Sequence, residues 1–308
     1  SEMCIRDRLK STGLAKKIWG VIYPMLIYLG IQILLINVIQ TICAVYWYFN
    51  GISSMEEIKS LMMQMLSGKE LILTMMSALI TIPILIFFMN RDTEHKKTSH
   101  TYKKFELTNR WLYLLILPFG FFNMEWANMF VSILQMFMPK FMIESYSGAE
   151  NVIYGSSVAV QFLAAGFAAP VVEELIFRGL IYKRLKDIVN IRWAAILSAV
   201  LFGVFHGNWV QAPYAIIIGL TAVFVYEKYK SITAPILLHM TVNIASVGIS
   251  YIAQKINETQ NISTQQFSDW YILEAISTSM FTFLVLAVMT GIIINKICLL
   301  YTSPSPRD

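Results

Sequence analysis

Eight long apolar runs separated by short polar connections restrict this chain to a helical membrane architecture. About 20 mostly apolar residues, each rising about 1.5 Å, suffice to cross a bilayer. The runs lie at 18–48, 71–89, 111–138, 153–182, 192–207, 211–227, 232–251 and 270–296. Composition agrees with that reading, since 56% of the residues are hydrophobic and only 14% are charged. So apolar a chain is no ordinary soluble domain. The net charge of +5 is spread over short segments between the runs. It reads as an orientation signal and excludes a nucleic-acid surface. The expected fold is therefore all-α, a polytopic transmembrane bundle of about eight spans.

The connections carry the orientation. Lys10, Lys16 and Lys17 precede the first run, and Arg91, Lys96, Lys97, Lys103, Lys104 and Arg110 fill the second connection. Lys183, Arg184, Lys186 and Arg192 follow the fourth run, and Lys228 and Lys230 follow the sixth. The alternate connections, 51–70, 139–152, 207–210 and 252–269, are poor in basic residues. Both termini are thus expected in the cytoplasm, in an integral protein of a bacterial cytoplasmic membrane. The 51–70 connection has the makings of a short amphipathic surface helix.

The two ends have a different character. Ser1–Arg8 and Cys298–Asp308 back-translate, over their shared part, as reverse complements of one transposon-type sequencing adapter. The expected organisation is an adapter-like tail over 1–8, N-terminal membrane helices over 9–150 and a helical core over 151–252. An outer loop and last helix occupy 253–297, with a second adapter-like tail over 298–308. Setting the tails aside leaves Cys43 as the one cysteine, which can form no internal disulfide.

Ionisable residues at membrane depth are costly and mark candidate functional sites. Glu173, Glu174 and Arg178 stand inside the fourth run. Glu174 and Arg178 are four apart and meet on one helix face, so Glu174 has an anchoring role. Glu173 points about 100° away, toward a different neighbour, and is the candidate general base. His206 closes the fifth run with Phe202 one turn earlier. His239 and Asn243, again four apart, present a paired donor set in the seventh run. Measured from the basic borders, Glu173 lies about 15 Å deep, His239 about 14 Å and His206 about 21 Å. The remaining histidines, His95 and His100, lie in the basic connection. Glu125, with Asn123 and Asn128, is a further polar cluster, either facing the same cavity or marking where the third run emerges.

Glu-Glu-x-x-x-Arg at 173–178, Phe-x-x-x-His at 202–206 and His-x-x-x-Asn at 239–243 together resemble the CPBP family of CAAX proteases and bacteriocin-processing enzymes. The resemblance covers about residues 155–250. It implies an intramembrane endopeptidase acting on a membrane-associated peptide or protein. In that scheme Glu173 activates water, His206 assists it, and His239 and Asn243 stabilise the oxyanion. Glu174, Arg178 and Phe202 would support the site. The family is often labelled metalloprotease, and Glu173, His206 and His239 would be the ligands of a divalent metal such as zinc. Against a metal stand the missing His-Glu-x-x-His signature and the commitment of Glu174 to Arg178, which favour a metal-free, glutamate-based reaction. The rival reading is a non-catalytic membrane scaffold or bacteriocin-immunity protein on the same fold. A small-solute transporter ranks below both, because corresponding halves with Gly/Pro-broken helices are missing. The sequence names neither substrate nor oligomeric state.

Overall fold

A computed structural model describes residues 13–99, 110–260 and 269–302. Every regular element among them is helical. The adapter-like segment 1–8, the last residues of the other tail, and His100, Lys103 and Lys104 lie outside the described residues. The helices are α1 (Leu14–Phe49), α2 (Met55–Leu66), α3 (Glu70–Thr98), α4 (Ile116–Gln135) and α5 (Lys140–Tyr154). They continue with α6 (Val158–Leu185), α7 (Ile191–Phe205), α8 (Gln211–Tyr229), α9 (Thr233–Gln260) and α10 (Asp269–Thr302).

Among the described residues five helices are long and apolar enough to cross a membrane: α1, α3, Trp111–Gln135, α6 and Thr233–Ile256. Ile191–Phe205 and Met280–Lys296 are apolar but shorter. The run at 211–227 is also helical, as α8. Large apolar side chains remain uncovered along these helices, Ile33 at 62% and Leu34 at 63% exposure among them. In water such a surface would drive association; in a bilayer it meets acyl chains at no cost. The chain is an integral membrane protein of the all-α, polytopic class.

Two connections contain helices, the short one expected in 51–70 and one not expected in 139–152. In 51–70, Ser54 Oγ accepts from the Glu57 amide at 3.4 Å and starts α2, which buries only Ile58. The Ser-x-x-Glu spacing there is a helix-start signature. In 139–152, expected to be a connection, α5 forms without burying any residue.

The chain divides into two compact units, Ser1–Tyr102 with Ser147–Ala194 and Lys103–Tyr146 with Ala195–Asp308. In the first, α1 and α3 pack on each other and on α6. Contact of α1 with its neighbours runs along Val21, Pro24 and Tyr28, its three buried residues. At the end of α6, Arg184 Nε bonds Asp92 of α3 at 2.7 Å and Nη2 donates to the Tyr23 hydroxyl of α1 at 2.7 Å. The same guanidinium donates to the Gly20 carbonyl and lies 4.7 Å over the Tyr23 ring. One planar fork thus pins three helices, a task a lysine point charge does not reproduce.

In the second unit α4 packs on α9 and α10, and α8 packs on α9. Leu112, Ile116 and Phe119 share a buried cluster with Ala234 and Leu238, while Met124 and Ala127 share another with Val242 and Ala245. The pairing order shows that α4 and α9 run parallel. Tyr229, ending α8, donates its hydroxyl to the Leu112 carbonyl at 2.8 Å.

Candidate active site

The carboxylates lie at a local irregularity of α6. Gln161–Ala168 and Leu175–Tyr182 are π-helical, and Ala169–Glu174 between them is α-helical. Each π turn takes an extra residue and rotates the helix beyond it. Such turns concentrate at functional sites. Glu173 and Glu174 are the last two residues of the α piece, and Arg178 lies in the second π segment. Arg178 Nη1 meets Glu174 Oε1 at 2.8 Å, with 0% of the arginine side chain and 1% of the glutamate exposed. The expected anchor is therefore present and fully buried. Glu173, on another face of the same turn, is half-buried. Gln161, buried at the start of α6, donates to the Tyr154 and Ser156 carbonyls and satisfies the preceding turn.

Sequence reasoning missed one contributor to this half. Tyr28 of α1, 3% exposed, hydrogen-bonds Gln32 and lies within Coulombic reach of Glu173. A Tyr and a Gln four apart within a long apolar run were the available signal.

The second unit carries the imidazoles. Phe202, 1% exposed, makes edge-to-face contacts with both His206 (centroids 4.8 Å apart) and His239 (5.6 Å). One phenyl ring from α7 thus gathers a histidine at the end of its own helix and another from α9. His206 Nδ1 lies 2.8 Å from the Phe202 carbonyl. A carbonyl only accepts, so Nδ1 carries the proton in this contact, and Nε2 is the ring nitrogen left for another partner. Gly207, at φ 65°, takes the chain out of α7 in the left-handed conformation that glycine adopts freely. Asn208 Oδ1 then accepts from the Val210 and Gln211 amides at 3.0 and 3.2 Å, capping α8. His206 is thereby fixed between a helix end and a cap. His239 is buried at 5% exposure, and half-buried Asn243 comes one turn along α9.

Two glycines set the helix spacing around these imidazoles. A Cβ on Gly203 would lie 2.7 Å from the Ala212 carbonyl and 2.5 Å from Ile216 Cγ1, so α7 and α8 touch backbone to backbone. A Cβ on Gly120 would lie 2.8 Å from Thr241 Cβ and 3.2 Å from the Leu238 carbonyl. Gly203→Ala is expected to destabilise by about 1–3 kcal/mol, the usual range for overpacking. Its apparent Tm in detergent should fall more than that of Gly248→Ala, where a Cβ meets nothing within 4 Å.

The second unit supplies two imidazoles and a carboxamide, a poor zinc ligand, and Glu174 in the first is held by Arg178. Within neither unit do three His, Cys, Asp or Glu side chains of the described residues group closely enough to hold an ion.

The protein thus carries paired carboxylates on one membrane-spanning helix and a Phe-organised histidine pair on others. Residues 155–245 match the family described as type II CAAX prenyl endopeptidase Rce1-like, and the match covers all three motifs, from Glu173 to Asn243. YdiL of Bacillus subtilis (strain 168), named as a candidate membrane peptidase, is 30% identical over 87 residues, 28% of this chain and 36% of YdiL. The UPF0177 protein YaiF of Lactococcus lactis subsp. lactis (strain IL1403) is 27% identical over 143 residues, 46% of this chain and 64% of YaiF. YxdF, a UPF0177 protein of the same strain, is 28% identical over 104 residues, 33% of this chain and 56% of YxdF. The chain thus spans less than two thirds of the length of each of these relatives. No solved structure matches it significantly.

Proposed function

We propose that the protein is an intramembrane endopeptidase that hydrolyses a peptide bond in a membrane-associated peptide or protein. The observation that carries this reading is the division of labour on α6, where Arg178 holds Glu174 while the adjacent Glu173 stands half-buried on another face. The hydrogen-bonded pair with Arg178 is made by Glu174, and Glu173, also within Coulombic reach of Arg178, is the carboxylate this reading assigns to chemistry.

Glu173 takes a proton from water as the water oxygen bonds to the scissile carbonyl carbon. Nε2 of His206 accepts from the same water and orients it. Charge developing on the carbonyl oxygen is met by donors from His239 and the Asn243 carboxamide. The proton on Glu173 then passes to the departing amine as the C–N bond breaks, which restores the carboxylate. Phe202 keeps the two imidazoles in place. The proposed setting is a bacterial cytoplasmic membrane with both termini on the cytoplasmic side.

The test is terminal proteomics on membranes expressing the wild type or Glu173→Gln, with and without a chelator. New peptide termini should appear with the wild type, persist with the chelator, and vanish with Glu173→Gln. Termini unchanged by Glu173→Gln would remove the assignment and leave the scaffold reading. Loss on chelation, restored by zinc, would replace the metal-free mechanism.

A further inference from the structure

Where α3 and α6 leave the membrane, one cluster of bases serves neither the proposed reaction nor the knot around Arg184. Lys96 lies near the end of α3, Lys183 near the end of α6, and Lys186 and Asp187 directly after it. Lys96 Nζ reaches Asp187 at 2.9 Å, and Lys183 lies within Coulombic reach of both Lys96 and Lys186. The neighbouring acids are already engaged, Asp92 with Arg184 at 2.7 Å and Glu94 with Lys97 at 2.7 Å. Three lysines thus gather around one carboxylate, Asp187, and carry a surplus of two positive charges. Like charges brought this close repel, and an anion joining them relieves the repulsion.

The fold holds the cluster in order. Arg184, between Lys183 and Lys186 in the chain, fastens the end of α6 to α3 and α1. Lys186 Nζ stands 4.8 Å over the ring of Tyr182, itself fully buried. Lys183 and Lys186 are half-buried, and Lys96 keeps 39% of its side chain exposed. Side chains held in this way lose less freedom on binding than lysines on an open surface. Each ammonium serves a phosphate as a point charge.

Depth identifies the anion. Arg184 also grips the Gly20 carbonyl of α1, and the adjacent Trp19 is 59% exposed. An exposed tryptophan near the end of a spanning helix marks the level of lipid headgroups. Phosphodiesters therefore surround Lys96, Lys183 and Lys186 in any bilayer, at the high effective concentration of a ligand confined to the same surface.

We infer that Lys96, Lys183 and Lys186 form a binding site for the headgroup of an anionic phospholipid. Charge complementarity selects lipids with a net negative headgroup over zwitterionic ones, because the surplus on the protein is positive. The site stands whether or not the protein is a protease.

The test is native mass spectrometry of the full chain in detergent, titrated with phosphatidylglycerol or with phosphatidylcholine, both of which carry a phosphate. A lysine beside an anionic surface is worth about fivefold in affinity, so the wild type should bind the first phosphatidylglycerol at least about tenfold more tightly than the first phosphatidylcholine. Lys183→Gln with Lys186→Gln should weaken phosphatidylglycerol by about 25-fold and leave phosphatidylcholine within about twofold. Lys183→Arg with Lys186→Arg, which keeps both charges, should retain the preference. Lys69→Gln, at the opposite end of α3, should leave it unchanged. If the glutamine pair does not elute as a monodisperse peak, Lys186→Gln alone decides, with an expected loss of about fivefold. Equal binding of the two lipids by the wild type would overturn the site, as would a phosphatidylglycerol affinity that the glutamine variants leave unchanged or that Lys69→Gln lowers as much. Displacement of phosphatidylglycerol by equimolar inorganic phosphate would make the ligand a free anion and overturn the lipid assignment.

Discussion

Glu173→Gln is expected to reduce peptide-bond cleavage by at least about 10²–10⁴-fold, the range for loss of a positioned general base. The protein should still reach the membrane at wild-type level. The substitution keeps volume and polarity and removes only the ability to take a proton. Its neighbour offers no rescue, because Glu174 is held at 2.8 Å by Arg178 and is 1% exposed. Asn243→Ala should show a smaller loss of about 10²–10³-fold, as for one oxyanion donor. Rates measured under single-turnover conditions separate both effects from product release.

The second large effect concerns stability. Glu174→Ala or Arg178→Ala strands a charge in a dry helix interface, where breaking a buried pair costs about 3–5 kcal/mol. That is a large share of the about 5–15 kcal/mol that keeps a typical protein folded. Each single variant should fall sharply in membrane level and lose its monodisperse peak in detergent after mild heating. Removing both charges with Glu174→Gln and Arg178→Met should recover most of the loss, since a pair replaced by uncharged side chains of similar size is often neutral. A double variant as unstable as the singles would show that this corner of α6 depends on the pair for more than charge balance.

The parts legible in the sequence are those governed by hydropathy and short spacing. Runs of apolar residues locate the helices, and the four-residue separation of Glu174 and Arg178 foretells their contact. Phe202 and His206 are legible the same way, because residues four apart on a helix are neighbours whatever surrounds them. Contact across helices is beyond the reach of spacing. Phe202 reaches His239 only because α7 and α9 come together, and no local pattern encodes that approach. Gly203 and Gly120 read as ordinary small residues; their role appears only when Ala212 and Thr241 are seen pressed against them. The π turns of α6 stay hidden because the mostly apolar residues of Gln161–Ala168 and Leu175–Tyr182 suit an α-helix equally well. Arg184 reads as one of several cytoplasmic basic residues, although its guanidinium joins α1, α3 and α6. The helix in 139–152 is silent in the sequence because its polar residues signal a connection and nothing in it is buried.

The proposed peptidase requires Glu173 and His206 for the same hydrolytic step. The most direct measurement is a double-mutant cycle in single-turnover cleavage of a membrane-tethered peptide, comparing wild type, Glu173→Gln, His206→Ala and the pair. Groups acting as a unit are strongly non-additive, so the double variant should be no slower than the slower single. Losses that multiply, or a Glu173→Gln protein that cleaves at the wild-type rate, would contradict the account.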